Sequence, residues 1–136
     1  DKATITRVQR FRKMFGGAMR QSGVLAAAAL YALHHHRDRL HEDHANATRL
    51  AQGLAGIRGL LLDPAMVETN MVFFDLAPQI PFDAAGLCER VKSHNILALP
   101  SGVRTVRLVC HLDVSRAMID DAVRAIASVV GAPARG

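Results

Sequence analysis

The sequence predicts an α+β fold, two N-terminal helices followed by a β-α-β-β-α unit. Apolar residues recur at helical spacing between Asp38 and Ile57 and again between Ile119 and Val130. Two short runs rich in β-branched and aromatic residues, Val67–Leu76 and Arg104–Leu112, are too brief for helices and are bounded by turn residues. A strand set with all its helices on one side gives a two-layer α+β arrangement. The chain divides into a helical segment, 1–37, and a compact α+β domain, 38–136.

Residues 4–15 are basic and weakly helical, and Gly16 and Gly17 break the pattern. From Ala18 the chain reads "AMRQSGVLAAAALYALHHHRDRL", apolar on nearly every helical face. Such a helix is buried or packs against another subunit. From Asp38 the pattern turns amphipathic, with Leu40, Ala47, Leu50, Leu54 and Ile57 on one face. Gly56 and Gly59 mark its end. "VETNMVFFDL" does not alternate, which predicts a strand covered on both faces. "PFDAAGLCERVKSHN" is a helix with Leu87 and Val91 turned inward, "ILALP" a short strand and "RTVRLVCHL" a longer one. Ser115 caps a last helix, on which Ile119, Ala122, Val123, Ile126 and Val130 make one stripe.

The 136 residues are half hydrophobic, enough for a globular core without staples. Net charge is +5, which favours an anionic partner. The basic residues are scattered, however, and there is no tryptophan and one tyrosine, so nucleic acid is not the expected partner. No apolar stretch of about 18 residues is present to span a membrane. Cys88 and Cys110 match no metal spacing and read as buried, reduced thiols of a cytoplasmic protein. A chain opening on Asp1 in mid-pattern reads as part of a longer one.

Two places draw attention. In "RKMFGGAMRQ", Lys13 and Arg20 flank a glycine pair at the expected start of a helix. Backbone N–H groups, the helix dipole and two fixed charges would there describe an anion site, most simply for a phosphate, or else a solvated basic turn. In "TVRLVCH", alternation puts Val106, Leu108 and Cys110 on one face and Thr105, Arg107, Val109 and His111 on the other. A guanidinium among valines and leucines requires a partner, either an internal carboxylate or the carboxylate of a substrate. His34, His35 and His36 point about 100° apart on a helix and cannot converge on one ion. His41 and His44 invite no firmer metal assignment, and His111 is a strand-end hydrogen bonder or a base.

The phrases "RVQRFRKMFGGAMRQSGVLAAAALYAL", "RLHEDHANATRLAQGL", "ETNMVFFDL" and "VRLVCHLDVS" occur in register and together resemble the C-terminal part of the low-specificity L-threonine aldolases. That resemblance runs from about Arg7 to about Val130. It implies the fold type I architecture of pyridoxal-phosphate (PLP) enzymes, with 1–37 leading from a large domain into the small domain. It implies cleavage of L-threonine or L-allo-threonine to glycine and acetaldehyde, a lyase reaction. It implies that Arg107 holds the substrate α-carboxylate and that Lys13 and Arg20 lie near the cofactor phosphate, in a homo-oligomer, a dimer or tetramer.

The family's Gly-Gly-Gly is Gly16-Gly17-Ala18 here, and its threonine before the strand-end histidine is Cys110. Its Schiff-base lysine lies upstream in a serine-lysine-glycine motif. The lysines here are Lys2, Lys13 and Lys92, none in such a motif. The resemblance therefore implies that no catalytic residue lies in this chain and that a lysine-bearing portion, in the same or another chain, completes the site. The alternatives are a β-eliminating lyase or another fold type I enzyme, and a non-catalytic interaction module with a vestigial site.

Overall fold

The computed structural model describes residues 1–131. They form two units, Asp1–Arg37 and the chain from Asp38 onward.

The first unit holds two helices. α1 (Lys2–Met14) is a complete helix, capped by the Asp1 carboxylate, which accepts from the Thr4 N–H at 2.7 Å. It is longer and more regular than the weakly helical stretch expected from the sequence, so three helices rather than two precede the main strands. α2 (Gly23–His35) begins five residues later than expected. Residues 18–22 lie outside the helix instead, with a turn at 20–22 and Gln21 at φ +54. The alanine-rich helix is also not buried within the chain: Val24, Leu25, Leu30, Tyr31 and Leu33 are all exposed.

The second unit opens with α3 (Leu40–Ala55). Ala47, Leu50, Ala51 and Leu54 make its buried stripe, whereas Leu40, expected on it, is exposed. Gly59, at φ +100, turns the chain into β1 (Leu60–Leu61), a two-residue strand that carries no periodic signal. β2 (Met71–Leu76), α4 (Ala84–Val91), β3 (Leu99–Pro100), β4 (Thr105–Val109) and α5 (Arg116–Gly131) follow. The sheet order is β1-β2-β4-β3 and every pairing is antiparallel.

The core lies between this sheet and α3, α4 and α5. Val72, Phe74 and Leu76 of β2 and Val106 and Leu108 of β4 meet Leu50, Leu54, Leu87, Val91, Ile119 and Ile126. The Ser115 hydroxyl accepts from the Met118 N–H at 3.3 Å, as its capping role requires. At Gly53 an added Cβ would lie 2.6 Å from Val123 Cγ2, so a side chain is excluded where α3 crosses α5.

β2 departs from the expectation that both its faces are covered. Its residues alternate, with Met71, Phe73 and Asp75 exposed and Val72, Phe74 and Leu76 buried. In an antiparallel sheet with helices on one side, one face of every strand is left over. The apolar run hid this, because Met71 and Phe73 occupy the open face.

Candidate functional site

The open face of the sheet is organised around β4, which lies between β2 and β3. Arg107 stands opposite Phe73 on one side and Leu99 on the other. One step along, Val109 pairs with Met71, and in the other direction Thr105 pairs with Asp75. The Thr105 hydroxyl donates to Asp75 Oδ1 at 2.5 Å, so that carboxylate already has a partner.

Arg107 is half-buried, and its Nε is shielded from solvent with no hydrogen-bond acceptor among the described residues. An internal carboxylate, one of the two partners the sequence leaves open, is thus not found there. Burying a donor without a partner costs about 1–3 kcal/mol, more for a charged group. The cost is recovered when a carboxylate presents two oxygens to the guanidinium fork. Phe73 and Leu99 flank the guanidinium on the neighbouring strands and lend the site apolar walls, though both are themselves exposed.

Arg104 makes the contrast. It has the parity of Val106 and Leu108, so it sits on the core side at the foot of β4. Each of the three guanidinium nitrogens donates to a carbonyl. Nε donates to Leu76 O at 2.7 Å, Nη2 to Ala77 O and to Ile80 O at 3.2 Å, and Nη1 to Phe82 O at 3.4 Å. Sequence reasoning passed over this residue. The signal was available: an arginine in step with the core positions of a strand is drawn away from solvent and calls for hydrogen-bond partners.

Beside Phe73 the open face bears a concavity of about 390 Å³, lined by Leu61, Leu62, Met66, Val67, Met71 and the Asp75–Thr105 pair among others.

In the first unit, the glycine pair does not begin a helix. The Gly17 N–H donates to Arg12 O at 2.7 Å and the Gly16 N–H to Lys13 O at 3.3 Å, with Gly16 at φ +84. These glycines close α1, and their N–H groups are spent on its last carbonyls. The helix-N-terminus part of the anion-site reading therefore fails. The charges of Lys13, in the last turn of α1, and Arg20, in the turn before α2, remain, both exposed. An added Cβ on Gly17 would lie 2.6 Å from Arg12 Cγ and 2.8 Å from Arg12 O, so the second glycine is needed for closure of the turn.

Three of the histidines make local hydrogen bonds, whereas His36 Nδ1 is buried without a partner among the described residues. His35 Nδ1 lies 2.8 Å from Tyr31 O and its ring stacks on Tyr31, His41 Nδ1 lies 2.9 Å from Asp38 O, and the Asp113 N–H donates to His111 Nδ1 at 3.4 Å. No group of three potential metal ligands is found among the described residues. Cys88 and Cys110 are buried free thiols. Burial pushes Cys110 up to about 11, with the nearby charge of Asp43 acting in the same direction. Asp43 is buried on the core stripe of α3, and its Oδ1 lacks a hydrogen-bond partner among the described residues. No described helix is long and apolar enough to cross a membrane.

The fold is similar to that of a solved structure, described as MppP soaked with the product 2-ketoarginine. The TM-score is 0.56 at 18% identity, over 70% of this chain and 28% of that one. That likeness defines the fold. The chain belongs to the beta-eliminating lyase family, which matches residues 1–77. It is 47% identical over 112 residues to the low specificity L-threonine aldolase of Escherichia coli (strain K12), covering 82% of this chain and 31% of that protein. It is 40% identical over 115 residues to the probable low-specificity L-threonine aldolase 2 of Arabidopsis thaliana, covering 85% of this chain and 32% of that protein. The chain thus spans about a third of the length of these relatives. Pyridoxal phosphate is the cofactor that goes with this membership.

Proposed function

We propose that this chain is the C-terminal portion of a PLP-dependent aldehyde-lyase that cleaves L-threonine and L-allo-threonine to glycine and acetaldehyde. The observation that carries the reading is Arg107: a guanidinium flanked by apolar side chains on an open sheet face, its Nε buried and unpartnered. It fits the carboxylate of an amino acid, and the close similarity to threonine aldolases supports that substrate class.

PLP, when bound, supplies an electron sink for the charge left on Cα as the Cα–Cβ bond breaks. This chain's residues do the holding. Arg107 fixes the α-carboxylate in a two-point fork, which restricts rotation of the substrate and aligns the bond to be cleaved. Phe73 and Leu99 flank that ion pair on the neighbouring strands. Lys13 and Arg20 offer cations to the cofactor phosphate. Their exposure suits a site completed by another subunit, and the exposed apolar surface of α2 supports a homo-oligomer, dimer or tetramer. The domain division, 1–37 leading into the small domain from 38 onward, belongs to the same reading, as does a Schiff-base lysine contributed from outside these 136 residues. The absence of nucleic acid and membrane from its partners, and a cytoplasmic location, complete it.

Product analysis of the holoenzyme carrying this chain tests the reading. Glycine and acetaldehyde in equal amounts from L-threonine are expected. The family match favours a second reading, β-elimination, which would release ammonia and 2-oxobutanoate from the same substrate.

A further inference from the structure

We infer that Arg104 is a positioning residue for Arg107, an inference that rests on the carboxylate-binding role proposed above. β4 is held at both ends. At its far end the Asn70 side-chain amide donates to Cys110 O at 2.7 Å and the Cys110 N–H donates to Asn70 O at 2.8 Å. At its near end the chain is stitched to the segment between β2 and α4. Leu76 N donates to Arg104 O and Ala84 N to Val103 O, each at 2.9 Å. These backbone bonds set the register, and the 77–82 loop is tied at its start by the Ala77 N–H donating to Gly59 O at 2.9 Å. The Arg104 guanidinium closes it, gathering the carbonyls of Leu76, Ala77, Ile80 and Phe82 around one rigid plane.

Among the described residues, no other side chain donates to these four carbonyls. Leu76 pairs across the sheet with Leu60, and its neighbour Asp75 pairs with Thr105, two residues before Arg107 on the same strand and the same face. A shift of the β2 end therefore passes along a two-residue path to Arg107. The guanidinium suits this task because its donors form a fixed fork, whereas a lysine ammonium has three donors at a single point. Loss of the clamp lets the foot of β4 move, and Arg107 then meets the substrate carboxylate out of place.

The test is steady-state kinetics on the holoenzyme carrying this chain, well below its melting temperature, with L-threonine. Arg104→Met is expected to raise KM about tenfold, since small displacements of a positioning group cost that much or more. PLP affinity should stay within about threefold of wild type, because the substitution leaves Lys13 and Arg20 in place. Arg104→Lys, which keeps a charge and some donors, is expected to fall between Met and wild type; it serves if the methionine variant does not fold. Arg49→Met, which breaks the remote Arg49–Asp120 pair between α3 and α5, is the control for general destabilisation and should leave KM unchanged. A KM at Arg104→Lys or Arg104→Met no different from that of Arg49→Met overturns the inference. Arg107→Met, measured in parallel, separates the two ideas: if it leaves KM unaltered the carboxylate role itself falls, whereas an effect there with none at Arg104 removes the positioning role alone.

Discussion

Phe73 lies directly across the β2–β4 ladder from Arg107, and the two side chains share the open face of the sheet. The pairing gives an aromatic wall to a guanidinium that has no acceptor for its Nε. It explains why an apolar residue in the middle of a strand is left half exposed: its partner is the arginine, and the face they share is where the substrate carboxylate is proposed to bind. Replacing Phe73 with Ala is expected to let water reach the ion pair and weaken substrate binding about three- to tenfold. A KM titration with L-threonine checks this; little effect on folding is expected because the residue is outside the core.

The crossing of α3 and α5 should be intolerant of any side chain at position 53. Gly53→Ala puts a methyl 2.6 Å from Val123 Cγ2 and is expected to cost about 1–3 kcal/mol of stability. Val123→Ala in the same protein should return part of that loss. Denaturant titration of the two single variants and the double measures the coupling, and additive losses would contradict the packing described.

Stability should fall at alkaline pH because of the buried thiols. Burial raises Cys110 from 9.0 to about 11, and Cys88 shifts upward for the same reason. Above pH 9 the unfolded thiol gives up its proton while the folded one keeps it, so the unfolded state binds fewer protons and stability declines with rising pH. The contribution is whole below pH 9 and is lost as pH rises toward 11. In Cys110→Ala the slope of stability against pH over that window should flatten, and below pH 8 no native labelling by thiol reagents is expected at this position.

α2 exposes apolar side chains on all sides, which supports its packing against another copy of the protein. Ala27→Trp or Ala28→Trp is expected to shift the assembly toward smaller species in sedimentation or light scattering. An unchanged mass would count against that use of the helix.

How much of this was legible in the sequence differed element by element, for physical reasons. α3, α4 and α5 announce themselves because each buries one stripe at a 3.6-residue period, and Leu50, Leu87, Ile119 and Ile126 sit where the spacing puts them. α2 could not be delimited that way. An alanine-rich segment has no polar face to mark its limits, and Ser22, at the N-cap before Gly23, makes no side-chain capping bond. β1 is two residues long and has no pattern to read. The alternation in β4 put Arg107 on the correct face. The same alternation flags Arg104 as a partly buried cation, but its acceptors are backbone carbonyls, which have no residue-type signature. The glycine pair was misassigned because Gly-Gly serves equally before a helix and after one, and only the hydrogen bonds to Arg12 and Lys13 decide between them. Lys13, Arg20 and Arg107 draw their proposed roles from family resemblance; of the three, Arg107 alone has an independent physical mark, its orphaned donor.

The most direct test of the central claim is the KM for L-threonine of the Arg107→Met holoenzyme, read beside its PLP absorbance. The account predicts a rise of about a hundredfold, the loss of a charge-assisted two-point hydrogen bond, with the cofactor band unchanged. A KM equal to that of the wild type would contradict it, and the half-buried guanidinium of β4 would then be holding something other than substrate.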